Sequence, residues 1–348
     1  MIVRSKWRPE WIVAAGALAL TAIAWRAPAQ EATAKAKSRE TAEAAKEETI
    51  KVDAEIAAYK PVQGITGNLN SVGSDTLSNL MTAWTESFKG LYPSVRVQVE
   101  SKGSGTAPAA LIGGVAQLGP MSRAMKPSEI DDFEGKFGYP PLQIRVAVDA
   151  LAIYVNKDNP IEKLTLAQAD AIFGKQRKAG FAKDVITWGD LGLTGDWAGK
   201  PVSTYGRNSA SGTYGFFKEI VLQNGDYKNS VKEQPGSSSV VLGVTEDKGG
   251  IGYSGAGYRT SGVKAVPLAK NEQSEAAGVS AASVYGGKYP LTRYLYVYVN
   301  KAPNKPLDPL VKQFLTYVLS QEGQQGVVKD QYFPLTTKTV TEELAKLQ

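Results

Sequence analysis

Apolar and polar positions follow two rhythms along most of this chain. Leu77, Leu80, Met81, Trp84 and Phe88 recur at intervals of three and four, which lines up one face of a helix. The spacing predicts a helix beginning after Asp75. Val95, Val97 and Val99 alternate with Arg96, Gln98 and Glu100, the two-residue period of a strand buried on one face. A helix from Pro108 through Val115 should follow, with proline in its first turn, where a missing N–H costs nothing. Val146 to Asn156 is almost continuously apolar, as a strand covered on both faces should be. Arg293 to Asn300 alternates again, and Leu310, Val311, Phe314, Leu315 and Val318 mark an amphipathic helix near the end. Strands and helices taking turns predict an α/β fold with a largely parallel sheet. The periodic region begins near Val62 and runs to the end of the 348 residues, enough for two lobes.

The chain before Val62 has a different texture. Arg4, Lys6 and Arg8 precede a mostly apolar run from Trp11 to Trp25, followed by Ala27-Pro28-Ala29. That is the layout of an export signal with an A-x-A cleavage site, so residues 1–29 are expected to be a signal peptide. The run is short for a membrane span; left uncleaved, it would act as an anchor. No cysteine follows it, which excludes a lipid-anchored form. Residues 30–61 are rich in Ala, Glu and Lys, with seven acidic and six basic residues between Glu31 and Lys60. They are expected to form a solvated tether outside the core.

Composition removes several function classes. There are no cysteines and no histidines, so there is no thiol nucleophile, no Ser-His-Asp triad and no common zinc ligand. The acidic residues form no metal-ligand constellation, and no catalytic residue or cofactor is expected. Forty basic residues outweigh 34 acidic ones, a formal charge of +6. Half of that excess lies in the first 29 residues. No basic stripe with interleaved aromatics remains, which argues against nucleic-acid binding.

The 35 glycines carry more information. Three segments share one design of strand, tight Gly/Ser/Thr loop and helix. They are Val72-Gly73-Ser74-Asp75-Thr76, Lys102-Gly103-Ser104-Gly105-Thr106 and Arg207-Asn208-Ser209-Ala210-Ser211-Gly212-Thr213. Glycine lets backbone approach a ligand, hydroxyls offer hydrogen bonds, and a helix start offers free N–H groups to an anion. Each Ser, Asp or Thr could equally be an N-cap and nothing more; three such loops in one chain favour a shared anion site. Arg207 is the sharpest single residue, because its planar, permanently charged fork matches two oxygens of a tetrahedral oxyanion. Arg123, beside Ser122 in Gly119-Pro120-Met121-Ser122-Arg123, is a candidate second cation. Gly250-Ile251-Gly252-Tyr253-Ser254-Gly255 matches a dinucleotide fingerprint formally. No helix is expected after it, so that reading is rejected.

In their order along the chain, GSDT, GSGT, GPMSR, RNSASGT, GGIGYSGAGY and YPLTRYLYVYVNK resemble the substrate-binding proteins of Pst-type phosphate ABC transporters. The likeness covers about residues 66–335. It implies a type II periplasmic-binding-protein fold, two α/β lobes around a ligand cleft. It also implies high-affinity binding of inorganic phosphate outside the cytoplasm, delivery to a membrane-embedded ABC permease, and no enzymatic activity. Carried over by motif, it puts Arg207, Ser211, Gly212 and Thr213 on the phosphate from one lobe and Ser104 from the other. Ser74, Asp75 and Thr76 contribute from the first loop, and Ser122 and Arg123 from the third segment. Two departures stand out: Ser122 occupies the place of an aspartate that accepts the phosphate proton, and Asp75 that of a threonine. Lobe one is expected to span 62–147 plus 290–348 and lobe two 148–289. Hinges are expected near Arg145 to Asp149 and Gly287 to Thr292, in a periplasmic monomer that closes on its ligand. The rival readings are a binding protein for sulfate or molybdate, a phosphatase-like relative, and an adhesive protein acting through the tether.

Overall fold

The computed structural model describes residues 50–348, and the proposed signal peptide and most of the tether lie outside those residues. Strand β1 (Gly67–Val72) leads through a 3-10 turn into helix α1 (Ser78–Leu91). The five apolar residues that predicted this helix are all buried. Strand β2 (Val95–Glu100) pairs parallel with β1. Helix α2 (Ala107–Ile112) stops earlier than expected, because Gly113-Gly114 follows, with Gly114 at φ +68°. Then come β3 (Gly119–Met121), helix α3 (Pro127–Phe137) and the fifteen-residue strand β4 (Leu142–Asn156).

The next part holds β5 (Leu164–Thr165), α4 (Leu166–Phe173), β6 (Ser203–Arg207) and α5 (Gly212–Ile220). It continues with β7 (Lys232–Gln234), α6 (Ser237–Glu246), β8 (Gly250–Gly255), β9 (Val263–Ala265), β10 (Leu268–Ala269) and α7 (Ala281–Tyr285). The chain then returns through β11 (Thr292–Val299) and ends in helices α8 (Pro309–Val318), α9 (Gln321–Lys329) and α10 (Thr337–Ala345). The formal dinucleotide segment is β8, and only a 3-10 turn comes after it.

β4 organises the molecule. Its first part, Leu142–Ala150, pairs with β11, and its last part, Leu151–Val155, pairs with β8. One strand thus belongs to both halves of a two-lobed fold. The sheet runs β3-β11-β4-β8-β6-β7, with β9 also on β4. The expectation of a largely parallel sheet needs correction. β1–β2, β6–β7 and β6–β8 are parallel, but β4 is antiparallel to β11, β8 and β9. A chain that leaves one lobe on one strand and returns on its neighbour must run the opposite way, and local periodicity does not encode that.

A second correction concerns the tether. Its last residues pack on the folded body rather than running free to residue 61. Ile56 is 4 % exposed within the main core. The Tyr59 hydroxyl bonds the Tyr92 hydroxyl and the Gln313 side chain, and the Gln321 N–H donates to the Ala57 carbonyl. The alanine-rich composition hid two anchoring side chains. Deleting residues 50–61 is therefore expected to lower the melting temperature by several degrees. Burying one Ile contributes about 1.5–3 kcal/mol, and in domains of this class each kcal/mol moves the midpoint about 2–4 °C. A calorimetric scan showing an unchanged midpoint would contradict the packing.

Candidate functional site

The candidate loops all leave the carboxyl ends of strands, where α/β folds place their ligands. Ser74–Thr76 follows β1, Ser104 follows β2, Ser122 follows β3, and the loop to Ser211 follows β6. Backbone bonds lock the first three together. Gly73 donates to the Glu100 carbonyl, Gly103 to that of Gly73, and Ser74 to that of Pro120. Gly103 stands at φ +115° with its Cα against Ala210, so glycine is required there. The Gly105 N–H donates across to the Ala210 carbonyl at 3.0 Å. Loops from the two halves are in direct contact.

Three buried serines meet in this contact. Ser74 Oγ donates to Ser122 Oγ at 3.0 Å, the Ser122 N–H donates to Ser104 Oγ at 3.0 Å, and Ser104 Oγ lies 3.3 Å from Ser122 Oγ. The start of α5 faces them. Gly212 has no room for a side chain, because a Cβ there would overlap the hydroxyls of Ser104 and Ser122. Beside it, Thr76 Oγ1 and Thr213 Oγ1 share a 2.9 Å bond across 137 residues of chain. Ser211 is the N-cap of α5, its Oγ accepting from the N–H groups of Thr213 and Tyr214. Its hydroxyl thus holds the helix start in place and keeps its own proton to donate.

Arg207 ends β6 and is 1 % exposed. Its Nη1 donates to Ser237 Oγ at 2.8 Å, and its Nη2 donates to the Pro235 carbonyl and lies 3.3 Å from Asp75 Oδ2. Its Nε is buried without a partner. Burial pulls the guanidinium pKa down while the Asp75 carboxylate pushes it back up. Arginine tolerates that and keeps its charge. Asp75 Oδ2 also accepts the N–H of Ser237 at 2.8 Å, at the first residue of α6, where the positive helix end favours a carboxylate. Asp75 is therefore not a simple cap for its own helix, since no side-chain cap bond forms there. Tyr258 donates to the Asp75 carbonyl and Tyr332 to that of Thr76, both at 2.8 Å.

Arg123 departs from expectation. Its guanidinium forms a two-pronged pair with Glu129 and also donates to the Ala124 carbonyl. A carboxylate at 2.6 Å satisfies the charge that was expected to face an anion. The second buried cation of the region is Arg293 on β11. Its Nε and Nη2 donate to Asp149 Oδ2 at 3.0 and 2.8 Å, and Nη2 reaches Thr213 Oγ1 at 2.8 Å. Ser237, Tyr258, Asp149 and Arg293 were missed as site residues. For Arg293 a signal existed: it falls in phase with Leu295, Val297 and Val299, which are buried. A charge in phase with a core face needs a partner.

Two lobes sharing crossed strands, with buried donors converging from strand ends on both sides, define a two-lobed ligand-binding protein. The chain matches the family model of the PBP superfamily domain over residues 19–322. It is 57 % identical over 296 residues to the phosphate-binding protein PstS of Pseudomonas aeruginosa, covering 85 % of this chain and 92 % of that one. It is 28 % identical to the protein SphX of Synechococcus elongatus, over 72 % of this chain and 73 % of the relative. Among solved structures, a possible phosphate binding protein from Planctomyces limnophilus superposes with a TM-score of 0.59 at 26 % identity, covering 82 % of this chain and 98 % of the other. A substrate-binding protein of a putative phosphate ABC transporter from Clostridium perfringens, solved with bound phosphate, gives 0.65 at 24 % identity over 78 % and 100 %. The chain belongs to the PstS family of the PBP superfamily.

Proposed function

We propose that this protein captures inorganic phosphate between its lobes in the periplasm and hands it to the membrane-embedded permease of an ABC transporter. The observation that carries the reading is Arg207, buried beside the Ser237 hydroxyl and the Asp75 carboxylate with its Nε unpartnered. A buried guanidinium N–H without a partner is costly, and a bound oxyanion would supply one. Support also comes from family membership, since a relative at 57 % identity over most of the chain is a phosphate-binding protein. The chain acts as a binding protein, not an enzyme.

The ligand contacts in this reading come from Ser74, Asp75, Thr76, Ser104, Ser122, Arg207, Ser211, Gly212 and Thr213, with Ser211 also holding the helix start. Lobe one comprises 62–147 and 290–348, lobe two 148–289, and the lobes turn about the strands near 145–149 and 287–292. Closure is favoured because the closed form alone brings both sets of donors to one anion. A cleaved leader at residues 1–29 and a monomeric mature protein complete the proposal. Among the described residues no helix is long and apolar enough to cross a membrane. Calorimetric titration with phosphate, sulfate and molybdate tests it. Heat and saturation with phosphate alone are expected; tighter sulfate or molybdate binding would overturn the assignment.

Asp75 gives the cleft its means of choosing. An ionised carboxylate accepts hydrogen bonds and donates none. Near neutral pH phosphate still carries a proton to offer it, and sulfate does not. Sulfate would instead set two negative oxygens face to face at low dielectric. Asp75→Asn keeps the side chain's size and its acceptor for the Ser237 N–H but adds donors. Selectivity for phosphate over sulfate is expected to fall by about tenfold or more in this variant. Parent-like selectivity in paired titrations would show that Asp75 serves only to join the lobes.

A further inference from the structure

We infer that Arg293 is a positioning residue of the phosphate site, orienting the Thr213–Thr76 hydroxyl pair so that it offers a proton to a phosphate oxygen. The inference rests on the phosphate reading and extends it to a residue on the crossing strands. Arg293 lies on β11 directly opposite Asp149 of β4 in the strand register, where β4 is about to pass from one lobe's partner to the other's. Its side chain is 4 % exposed and that of Asp149 is fully buried. The pair also reaches beyond the two strands: Asp149 Oδ1 accepts weakly from the Ala256 N–H at 3.4 Å, and Arg293 Nη2 donates to Thr213 Oγ1.

Counting protons shows that the hydroxyl pair has one to spare, whichever of the two hydroxyls donates to the other. A guanidinium only donates, so Thr213 Oγ1 is an acceptor toward Arg293. Thr213 and Thr76 together hold two hydroxyl protons, and the single bond between them consumes one. The other is left to donate. A hydroxyl that accepts from a cation becomes a stronger donor through polarisation, which suits an anionic oxygen. With Arg293 in place the spare proton cannot point toward the guanidinium, whereas without it that proton could turn to the vacated side and leave lone pairs facing the ligand. A purely structural ion pair does not require this contact. Nor is Arg293 satisfied by the fold alone, since its Nη1 is buried without a partner, which is uncommon for a buried polar atom. The guanidinium also sits over the Phe216 ring, 5.1 Å from its centroid, so α5 holds it on a second side.

The test is a set of calorimetric phosphate titrations on the parent, Arg293→Gln, Arg293→Lys, Thr213→Val and the combined Arg293→Gln/Thr213→Val protein. Arg293→Gln is expected to weaken phosphate about tenfold or more. Arg293→Lys, which keeps a charged donor, should recover most of that loss. In the Thr213→Val background Arg293→Gln should cost less than about twofold further, because the hydroxyl it acts through is gone. If Arg293→Gln fails to fold with Asp149 left unpaired, the neutral pair Asp149→Asn/Arg293→Gln replaces it and should show the same loss. Parent-like affinity in the Gln variant, or a full additive loss in the Thr213→Val background, overturns the inference while leaving the phosphate reading standing. A parent that takes up no phosphate overturns both.

Discussion

Gly212→Ala is expected to weaken phosphate binding about a hundredfold while leaving the ligand-free protein folded. A Cβ at this position would stand 2.6 Å from Ser122 Oγ and 2.9 Å from Ser104 Cβ. The hydroxyls can rotate away, but Ser104 Cβ is fixed by its backbone. That backbone is pressed against Ala210 through Gly103 and Gly105. Only separation of the loops relieves the overlap, and separation of the loops is the opening of the cleft. Such overpacking typically costs about 1–3 kcal/mol, and a hundredfold corresponds to about 2.8 kcal/mol. The helix itself is not harmed, since alanine is the better helix former. Calorimetry gives the affinity, and small-angle scattering with and without phosphate gives the closure. A variant that binds and compacts like the parent would mean the two loops do not meet at Gly212 in the loaded state.

Arg207→Ala should reduce phosphate affinity by about a hundredfold or more, and Arg207→Lys by about tenfold or more. Charge-assisted hydrogen bonds in a desolvated site contribute about 1.5–3 kcal/mol, and removing one charged partner there costs about 2–5 kcal/mol. Lysine keeps the charge but not the planar fork that reaches Ser237 Oγ, the Pro235 carbonyl and Asp75 together. Burial already pulls the Arg207 pKa down. An amine in the same surroundings starts from a lower value and loses its proton sooner as pH rises. The Lys variant is therefore expected to fall further behind the parent above neutral pH than below it. An unchanged dissociation constant in either variant would place Arg207 outside the ligand's reach.

Both predictions concern residues visible in the sequence, for a physical reason. A Gly/Ser/Thr loop before a helix is a local device: its backbone freedom, hydroxyls and helix end lie within a few residues of one another. Arg207, Ser104, Gly212 and Thr213 could therefore be found without knowing the fold. The elements behind the loops were equally legible. Leu77 to Phe88 carries a helical stripe, Val95 to Val99 a strand alternation, and Val146 to Asn156 a doubly buried run. Each reports which face meets the core, and burial is the dominant local constraint. The tether was misjudged at its end because Ile56 and Tyr59 are too few to make a period, yet Ile56 is buried in the main core and Tyr59 bonds Gln313 far along the chain.

Tertiary structure alone decided which charges meet. Arg123 and Arg207 are both arginines beside glycine-rich segments, but Glu129, six residues on, takes the charge of the first. Ser237 and Asp75 are 162 residues apart and bond directly. Arg293 reaches Asp149 only because β4 and β11 lie side by side, running opposite ways between the lobes. The sequence by itself determined the loops, the elements and the chemistry on offer, since those depend on neighbours within a turn or a strand. The antiparallel crossing and the pairing of buried charges depend on where distant segments dock. Hydrophobic periodicity records that a face is buried, but not against what.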